Sequence, residues 1–284
     1  VNFFLTTRSA FCTFAGFTKE NAMSIGMAVE IMMLVAVLGF GACAIRHWRK
    51  RRESVLQGLG LRWDRNAGRD LVAGLAITGL AMLGIFAVEL ALGGLAVSPS
   101  PHLAFGDLGM WFVEKAFASF REELMMRGML LSGLVLALRG RRVLAVLLSA
   151  LAFGCIHLSN PGATPLSVFG NALGGVVYGM AFLLAGSLWL PIGLHFAWNF
   201  VQGPVLGFPV SGMAAGGLQQ VRDLGPAWLT GGAYGPEAGL VGFLFRFVVI
   251  ALVMLWLRGA WRTFKDTRTP AALPAGGSAD PGPV

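Results

Sequence analysis

The stretch Leu108–Leu138, LGMWFVEKAFASFREELMMRGMLLSGLVLAL, decides the fold. It holds no proline and is longer than the ~20 residues that a helix needs to cross a bilayer. Yet Glu122, Glu123 and Arg127 sit in its middle. An ionisable group at the centre of a membrane helix costs roughly 2.5–3.5 kcal/mol on insertion scales, so such groups usually face a protein interior and mark function. A membrane helix that carries chemistry is the first reading.

The rest of the chain agrees with a membrane protein. Of its 284 residues, 56% are hydrophobic and 13% charged, with a mean hydropathy of +0.70, outside the range of ordinary soluble domains. Hydropathy places further spans at about 24–45, 70–96, 143–158, 166–186, 188–206 and 238–257, giving seven with 108–138. The Gly- and Pro-rich stretch 207–236 leaves room for an eighth, short or re-entrant, helix. The expected fold is therefore all-α, a polytopic helical bundle of seven to eight transmembrane helices. A membrane-embedded domain is expected over 23–260. Residues 1–22 read as an interfacial or non-native leader, with Met23 an alternative start, and the Pro/Gly-rich 261–284 as a disordered tail.

The formal charge of +8 does not indicate nucleic acid. Fifteen of the 22 Lys and Arg fall in three clusters, Arg46–Arg69, Arg139–Arg142 and Arg258–Arg268, between or after apolar segments. Loops 97–107 and 159–165 carry none, and 207–236 carries only Arg222. The positive-inside rule then puts all three clusters in the cytoplasm, the N-terminus outside and the C-terminus inside. No nucleic-acid module is visible. Cys12, Cys43 and Cys155 show neither a disulfide framework nor metal-ligand spacing, and packing is their expected role.

Three spans bear polar groups at matching depth. Glu123 and Arg127 stand at i and i+4 on one helix face and can pair, while Glu122 projects about 100° away. A carboxylate held by arginine stays ionised; its free neighbour is the natural group to exchange protons. Counted at ~1.5 Å per residue, Glu122 lies about 25 Å from Arg139, and His157 about 22 Å from Arg142. His195 and Asn199, again i and i+4, offer an imidazole and an amide as two donors to a developing oxyanion. Gly170/Gly174 and Gly175/Gly179 repeat a small-xxx-small pattern on the span between the two histidine-bearing helices, which favours tight packing there. Glu30, Glu89, Glu114 and Arg246 lie near span ends or without a motif partner, and read as anchors or local pairs.

Together these residues resemble the CPBP family of intramembrane proteases, the CAAX protease and bacteriocin-processing (Abi) group. The resemblance is carried by Glu122-Glu123-Leu124-Met125-Met126-Arg127-Gly128, by Phe153-Gly154-Cys155-Ile156-His157, and by His195-Phe196-Ala197-Trp198-Asn199. These motifs occur in order within a core of about 108–206. The resemblance implies an intramembrane glutamic endopeptidase in which Glu122 and His157 activate water, His195 and Asn199 hold the oxyanion, and Glu123 and Arg127 support them. The substrate implied is a membrane protein or lipidated peptide, the setting a lipid bilayer, expected to be a bacterial inner membrane, with no nucleic-acid partner.

No cofactor is expected, although Glu122, His157 and His195 would equally be a set of three protein ligands for a catalytic zinc. A metal-dependent protease is thus one alternative. A non-enzymatic immunity or adaptor protein, in which the motif only stabilises a binding surface, is another. Transport through a polar cavity ranks below both, since paired broken helices and inverted halves are not recognisable. Phosphate-loop, dinucleotide and HExxH fingerprints are missing.

Overall fold

A computed structural model describes residues 19–100, 105–214 and 217–258, and these are mostly helical. Helix α1 spans Lys19–Lys50 and α2 Ala67–Ala91. Helix α3, Phe105–Glu123, runs without a break into a π-helical segment, Leu124–Leu131, and then into α4, Ser132–Ala137. Helices α5, Arg142–Cys155, and α6, Pro165–Ala185, follow. Helix α7, Trp189–Phe200, ends in a second π segment, Val201–Val205, and α8 spans Leu240–Trp256.

Each expected span thus has a helical counterpart. Three helices, Gly26–Lys50 within α1, α2 and α6, are long and apolar enough to cross a membrane, and α5 and α8 are shorter apolar helices. The protein is accordingly an integral membrane protein. Among the described residues, 207–236 contains no long eighth helix. It holds a strand, one helical turn at Ala227–Thr230 and a 3-10 turn at Gly232–Tyr234. Five positive-φ glycines in this stretch, Gly207, Gly212, Gly231, Gly232 and Gly235, show why: a chain that turns this often cannot propagate a helix. The expected leader 1–22 lies outside the described residues except for its last four, which begin α1, and the expected tail 261–284 lies outside them altogether.

Local chemistry explains the helix ends. Thr164 caps α6 in a reciprocal capping box with Ser167, Pro165 occupies the first turn, and Gly186 closes the helix at φ 67°. His47, Arg49 and Lys50 in the last turn of α1 complement its negative dipole end. Pro204, which has no N–H to donate, lies where α7 widens into its π segment.

Small residues set the closest packing. A Cβ on Gly74 of α2 would lie 2.6 Å from the Leu190 carbonyl oxygen of α7, and Gly193 of α7 is pressed against the Leu71 backbone in return. On α6, Gly175 meets Ala150 of α5, while Gly174 on an adjacent face makes room for Arg246 of α8. The small-xxx-small pattern therefore serves two neighbours, one on each side. Around this core, Ile31, Val35, Leu80, Leu147, Phe247 and Leu255 are exposed, an apolar exterior suited to lipid.

The two ends of the bundle differ. At one, Leu188 N–H donates to the Gly60 carbonyl, Trp189 stacks edge-on to Trp63, and Trp256 donates to Asp70 at 3.0 Å beneath the Arg69 guanidinium. Three tryptophans and the basic residues thus gather there, as at a membrane interface. At the other end, β1, Leu95–Pro99, pairs antiparallel with β2, Gln219–Asp223, with Val97 opposite Val221. That ladder ties two loops into one cover.

Candidate active site

The two adjacent carboxylates, Glu122 and Glu123, end α3 just before its π segment and lie in different surroundings. Glu123 is wholly buried and accepts from Arg127 Nη1 at 3.0 Å, as the i, i+4 spacing predicts. Arg127, also wholly buried, donates through Nη2 to the Gly175 carbonyl of α6 at 3.3 Å. Its guanidinium lies 4.5 Å from the centre of the Phe153 ring and 5.2 Å from that of Tyr178. Glu122 keeps 24% of its side chain exposed and pairs at 3.5 Å with Arg121, which is itself 56% exposed. One carboxylate is sealed and the other open. π segments occur often at functional sites because the extra residue per turn changes which side chains face one way.

His195 of α7 joins the two. Its Nδ1 lies 2.7 Å from Glu123 Oε1, and its Nε2 faces Glu122 Oε2 at 3.8 Å. An ionised carboxylate can only accept, so Nδ1 carries the hydrogen and donates to Glu123, leaving Nε2 turned toward Glu122. The imidazole is 4% exposed and stacks on Tyr178 with centroids 4.8 Å apart and planes 14° apart.

His157 stands just past the end of α5. The expected span 143–158 is thus shortened at Cys155, with His157 in the following turn. Its Nδ1 lies 2.7 Å from the Phe153 carbonyl oxygen, again an acceptor only, so Nδ1–H donates and the neutral ring keeps Nε2 as its basic nitrogen. Phe153 touches both histidine rings edge-on, His157 at 4.8 Å and His195 at 5.8 Å. His157 also lies within Coulombic reach of Glu122 and His195. Asn199, one turn beyond His195, is half-buried and has no side-chain hydrogen bond among the described residues.

The structure therefore brings Glu122, Glu123, Arg127 and His195 into direct contact, puts His157 beside them through Phe153, and keeps Asn199 on the His195 face. Among the described residues no group of three or more His, Cys, Asp or Glu is arranged to hold a metal ion.

Two buried residues beside the site escape the motifs. Arg246 of α8, read from sequence as an anchor near a span end, is 3% exposed instead, donates to the Tyr178 hydroxyl at 2.9 Å and lies 3.2 Å over the Trp198 ring. Tyr178 lies beneath His195. The glycine pattern held the available clue: Gly174 leaves the space that the guanidinium occupies, with a Cβ there only 3.0 Å from its carbon. The other set-aside groups divide. Glu114 pairs locally with Lys115 at 2.9 Å, and Glu30 accepts from Ser159. Glu89 is buried, and neither of its carboxylate oxygens is hydrogen-bonded among the described residues.

A second polar group packs under the cover between α6 and α7. Glu237 accepts from Gln202 at 2.6 Å and from the Ser211 N–H and hydroxyl at 3.1 and 3.2 Å. Burial raises its carboxyl above the ordinary value against the pull of these donors. Nearby, burial and then the Glu237 charge push the Tyr234 phenol up to about 12. Asn160, three residues after His157, donates to the Ser211 carbonyl at 3.0 Å and so links this cover to the His157 turn.

Fold and site define a helical membrane protein with a buried Glu–Arg–His cluster. Over residues 104–201 the chain matches the family model described as Type II CAAX prenyl endopeptidase Rce1-like, a match consistent with the CAAX protease resemblance read from its motifs. The family is one of CAAX protease-type peptidases. No curated protein and no solved structure matches the chain.

Proposed function

We propose that this protein is an intramembrane endopeptidase that hydrolyses a peptide bond of a membrane-associated or lipid-modified substrate, using water activated by Glu122 and His157. The observation that carries the reading is the split between the carboxylates: Glu123 is locked between Arg127 and His195, whereas Glu122 is open and faces His195 Nε2. A group that must take a proton from water needs access to it, and Glu122 has 24% of its side chain exposed. His157, with Nδ1 committed to the Phe153 carbonyl, offers Nε2 as a second base.

His195 and Asn199 complete the reaction as donors to the tetrahedral oxyanion. In that role His195 acts as an Nε2–H donor, with Nδ1–H held by Glu123, and the free Asn199 amide donates beside it. General-base assistance contributes ~10²–10⁴ in rate, and one oxyanion donor ~10²–10³. Glu123 and Arg127 orient His195 and keep its surroundings charged in a fixed way. In this reading the basic clusters face the cytoplasm of a bacterial inner membrane, and the C-terminus lies inside.

The test compares cells carrying wild type and Glu122→Ala by proteomics of membrane peptides, followed by cleavage of a prenylated CAAX-type peptide in proteoliposomes. The expected result is a set of peptides lost with Glu122→Ala and a rate drop of ~10²–10⁴. Full cleavage by the Glu122→Ala protein would refute the assignment.

A further inference from the structure

We infer that Arg246, which lies outside the family-matched segment, is a positioning residue for the hydrolytic site and acts on His195 through Tyr178. The inference rests on the peptidase reading for its kinetic test, though not for its spectroscopic one. A buried arginine with no carboxylate in contact needs a reason, because desolvating a charge is costly unless it is paired or hydrogen-bonded. Arg246 is 3% exposed, and none of its ion pairs with a carboxylate falls within contact distance among the described residues. Its contacts run toward the site, to the indole of Trp198, three residues along α7 from His195, and to the hydroxyl of Tyr178, while beyond contact distance its charge also acts on Glu237.

Tyr178 passes the constraint on. The hydroxyl takes Arg246 Nη1–H at 2.9 Å, which fixes the phenol along its long axis. The ring face lies nearly parallel to the His195 imidazole at 4.8 Å, in the offset-stacked arrangement that aromatic pairs prefer. Arg127 approaches the same ring, so two guanidiniums lie 5.2 and 5.5 Å from its centre. The imidazole can rotate about its side-chain bonds only by unstacking from Tyr178 or breaking its Glu123 hydrogen bond. With Nδ1 pinned by Glu123 and the plane pinned by Tyr178, Nε2 has one direction left, toward Glu122.

Helix α6 is built to admit this contact. Gly174, one turn before Tyr178, offers the Arg246 guanidinium a surface that any Cβ would crowd. The residues recruited from α6 and α8 carry no motif chemistry of their own. Their effect is on geometry, and a displacement of about 1 Å at a reacting group can cost on the order of 10²-fold in rate.

The experiment uses the full-length protein in nanodiscs, with Arg246→Gln, Arg246→Lys, Tyr178→Phe and the Arg246→Gln/Tyr178→Phe double variant. Cleavage of the prenylated CAAX-type peptide is followed alongside nitrogen-15 spectra of labelled histidines, with His195 assigned by His195→Gln. Arg246→Gln and Tyr178→Phe are each expected to lower kcat about 10–100-fold with KM within about twofold. The double variant is expected to be no worse than the weaker single, because both break one link. Arg246→Lys, which can still donate to the phenol, is expected to recover most of kcat. In the spectra, wild type is expected to show one His195 state, with Nδ1–H hydrogen-bonded to Glu123, and the Gln and Phe variants a second state.

Unchanged His195 signals in both single variants would overturn the inference, as would kcat losses that simply multiply in the double variant. If the Arg246 variants fail to fold, Gly174→Ala keeps the charge and crowds the guanidinium, and an unchanged His195 signal there refutes the inference equally. Failure of wild type to cleave any peptide would instead count against the peptidase reading, and the His195 spectra would still decide this one.

Discussion

Replacing Arg127 by methionine tests the centre of the site. The substitution keeps an unbranched apolar side chain but removes the hydrogen bonds to Glu123 and to the Gly175 carbonyl, at 3.0 and 3.3 Å, and the cation over Phe153. It leaves Glu123, which is wholly buried, as a carboxylate with only His195 against it. Breaking a buried ion pair by removing one partner costs about 3–5 kcal/mol, mostly the penalty of the stranded charge. The ring contact lies within that figure and does not add to it, because the same guanidinium makes every contact. Glu123→Gln added to Arg127→Met removes the stranded charge while the amide carbonyl still accepts from His195, so the pair of changes should recover roughly 1–3 kcal/mol. Arg121→Met is the control. Its ion pair is 3.5 Å long and largely exposed, and such pairs are worth up to about 1 kcal/mol. Denaturant unfolding in a fixed detergent, followed by the fluorescence of the eight tryptophans, reads all three. The reasoning is refuted if Arg127→Met unfolds no earlier than Arg121→Met, or if the double variant is less stable than the single.

Two further outcomes are expected. Gly74→Ala should destabilise by about 1–3 kcal/mol, since its Cβ would meet the Leu190 carbonyl and Leu194 N–H at 2.6 and 2.7 Å, backbone atoms that cannot step aside. Gly68→Ala on the same helix, with nothing within 4 Å, should be neutral or stabilising, and equal melting shifts for the two would contradict the packing argument. Burial raises the Glu237 carboxyl above its ordinary 4.5, so the folded protein binds this proton more tightly than the unfolded chain. The associated stability is present in full below pH 4.5 and is lost as pH rises through the raised value. Melting temperatures of wild type and Glu237→Gln, compared from pH 4 to 8, should diverge in favour of the variant toward high pH, and a constant difference would rule this out.

The helices were legible because apolar length shows without help from tertiary contacts, although as membrane spans only Gly26–Lys50, α2 and α6 among the described residues have both the length and the hydropathy. The Glu123–Arg127 pair was legible for a similar reason: both partners lie on one helix, and i, i+4 spacing is local. Arg246 was not. Its partners Tyr178 and Trp198 lie 68 and 48 positions away in sequence, and no spacing rule connects them. Distance from the motifs made it look like an interfacial anchor, whereas tertiary packing turned it inward. The cover over 207–236 failed to show for another reason. Its order comes from side-chain acceptors such as Glu237 and from glycines at positive φ, and neither produces a hydrophobic period. The end of α5 at Cys155 was likewise unmarked, because His157 continues the i, i+4 contact with Phe153 after the helix has stopped.

The membrane environment explains why these polar residues come as a set. In water, Glu122 and Glu123 would each be solvated, and the choice of neighbours would matter little. In a bilayer the sealed carboxylate must find its donors inside the protein, and each donor then needs partners of its own. Arg127 satisfies Glu123 and requires Gly175 and two aromatic faces; His195 satisfies Glu123 and requires Tyr178, whose hydroxyl is satisfied by Arg246. Closing this network draws residues from α3, its π segment, α6, α7 and α8. Of the two adjacent carboxylates, Glu122 lies at the edge of this network, against His195 Nε2 and the exposed Arg121, and is the one with access to water. By occupying the donors around Glu123, the network leaves Glu122 for the role proposed for it, the activation of water.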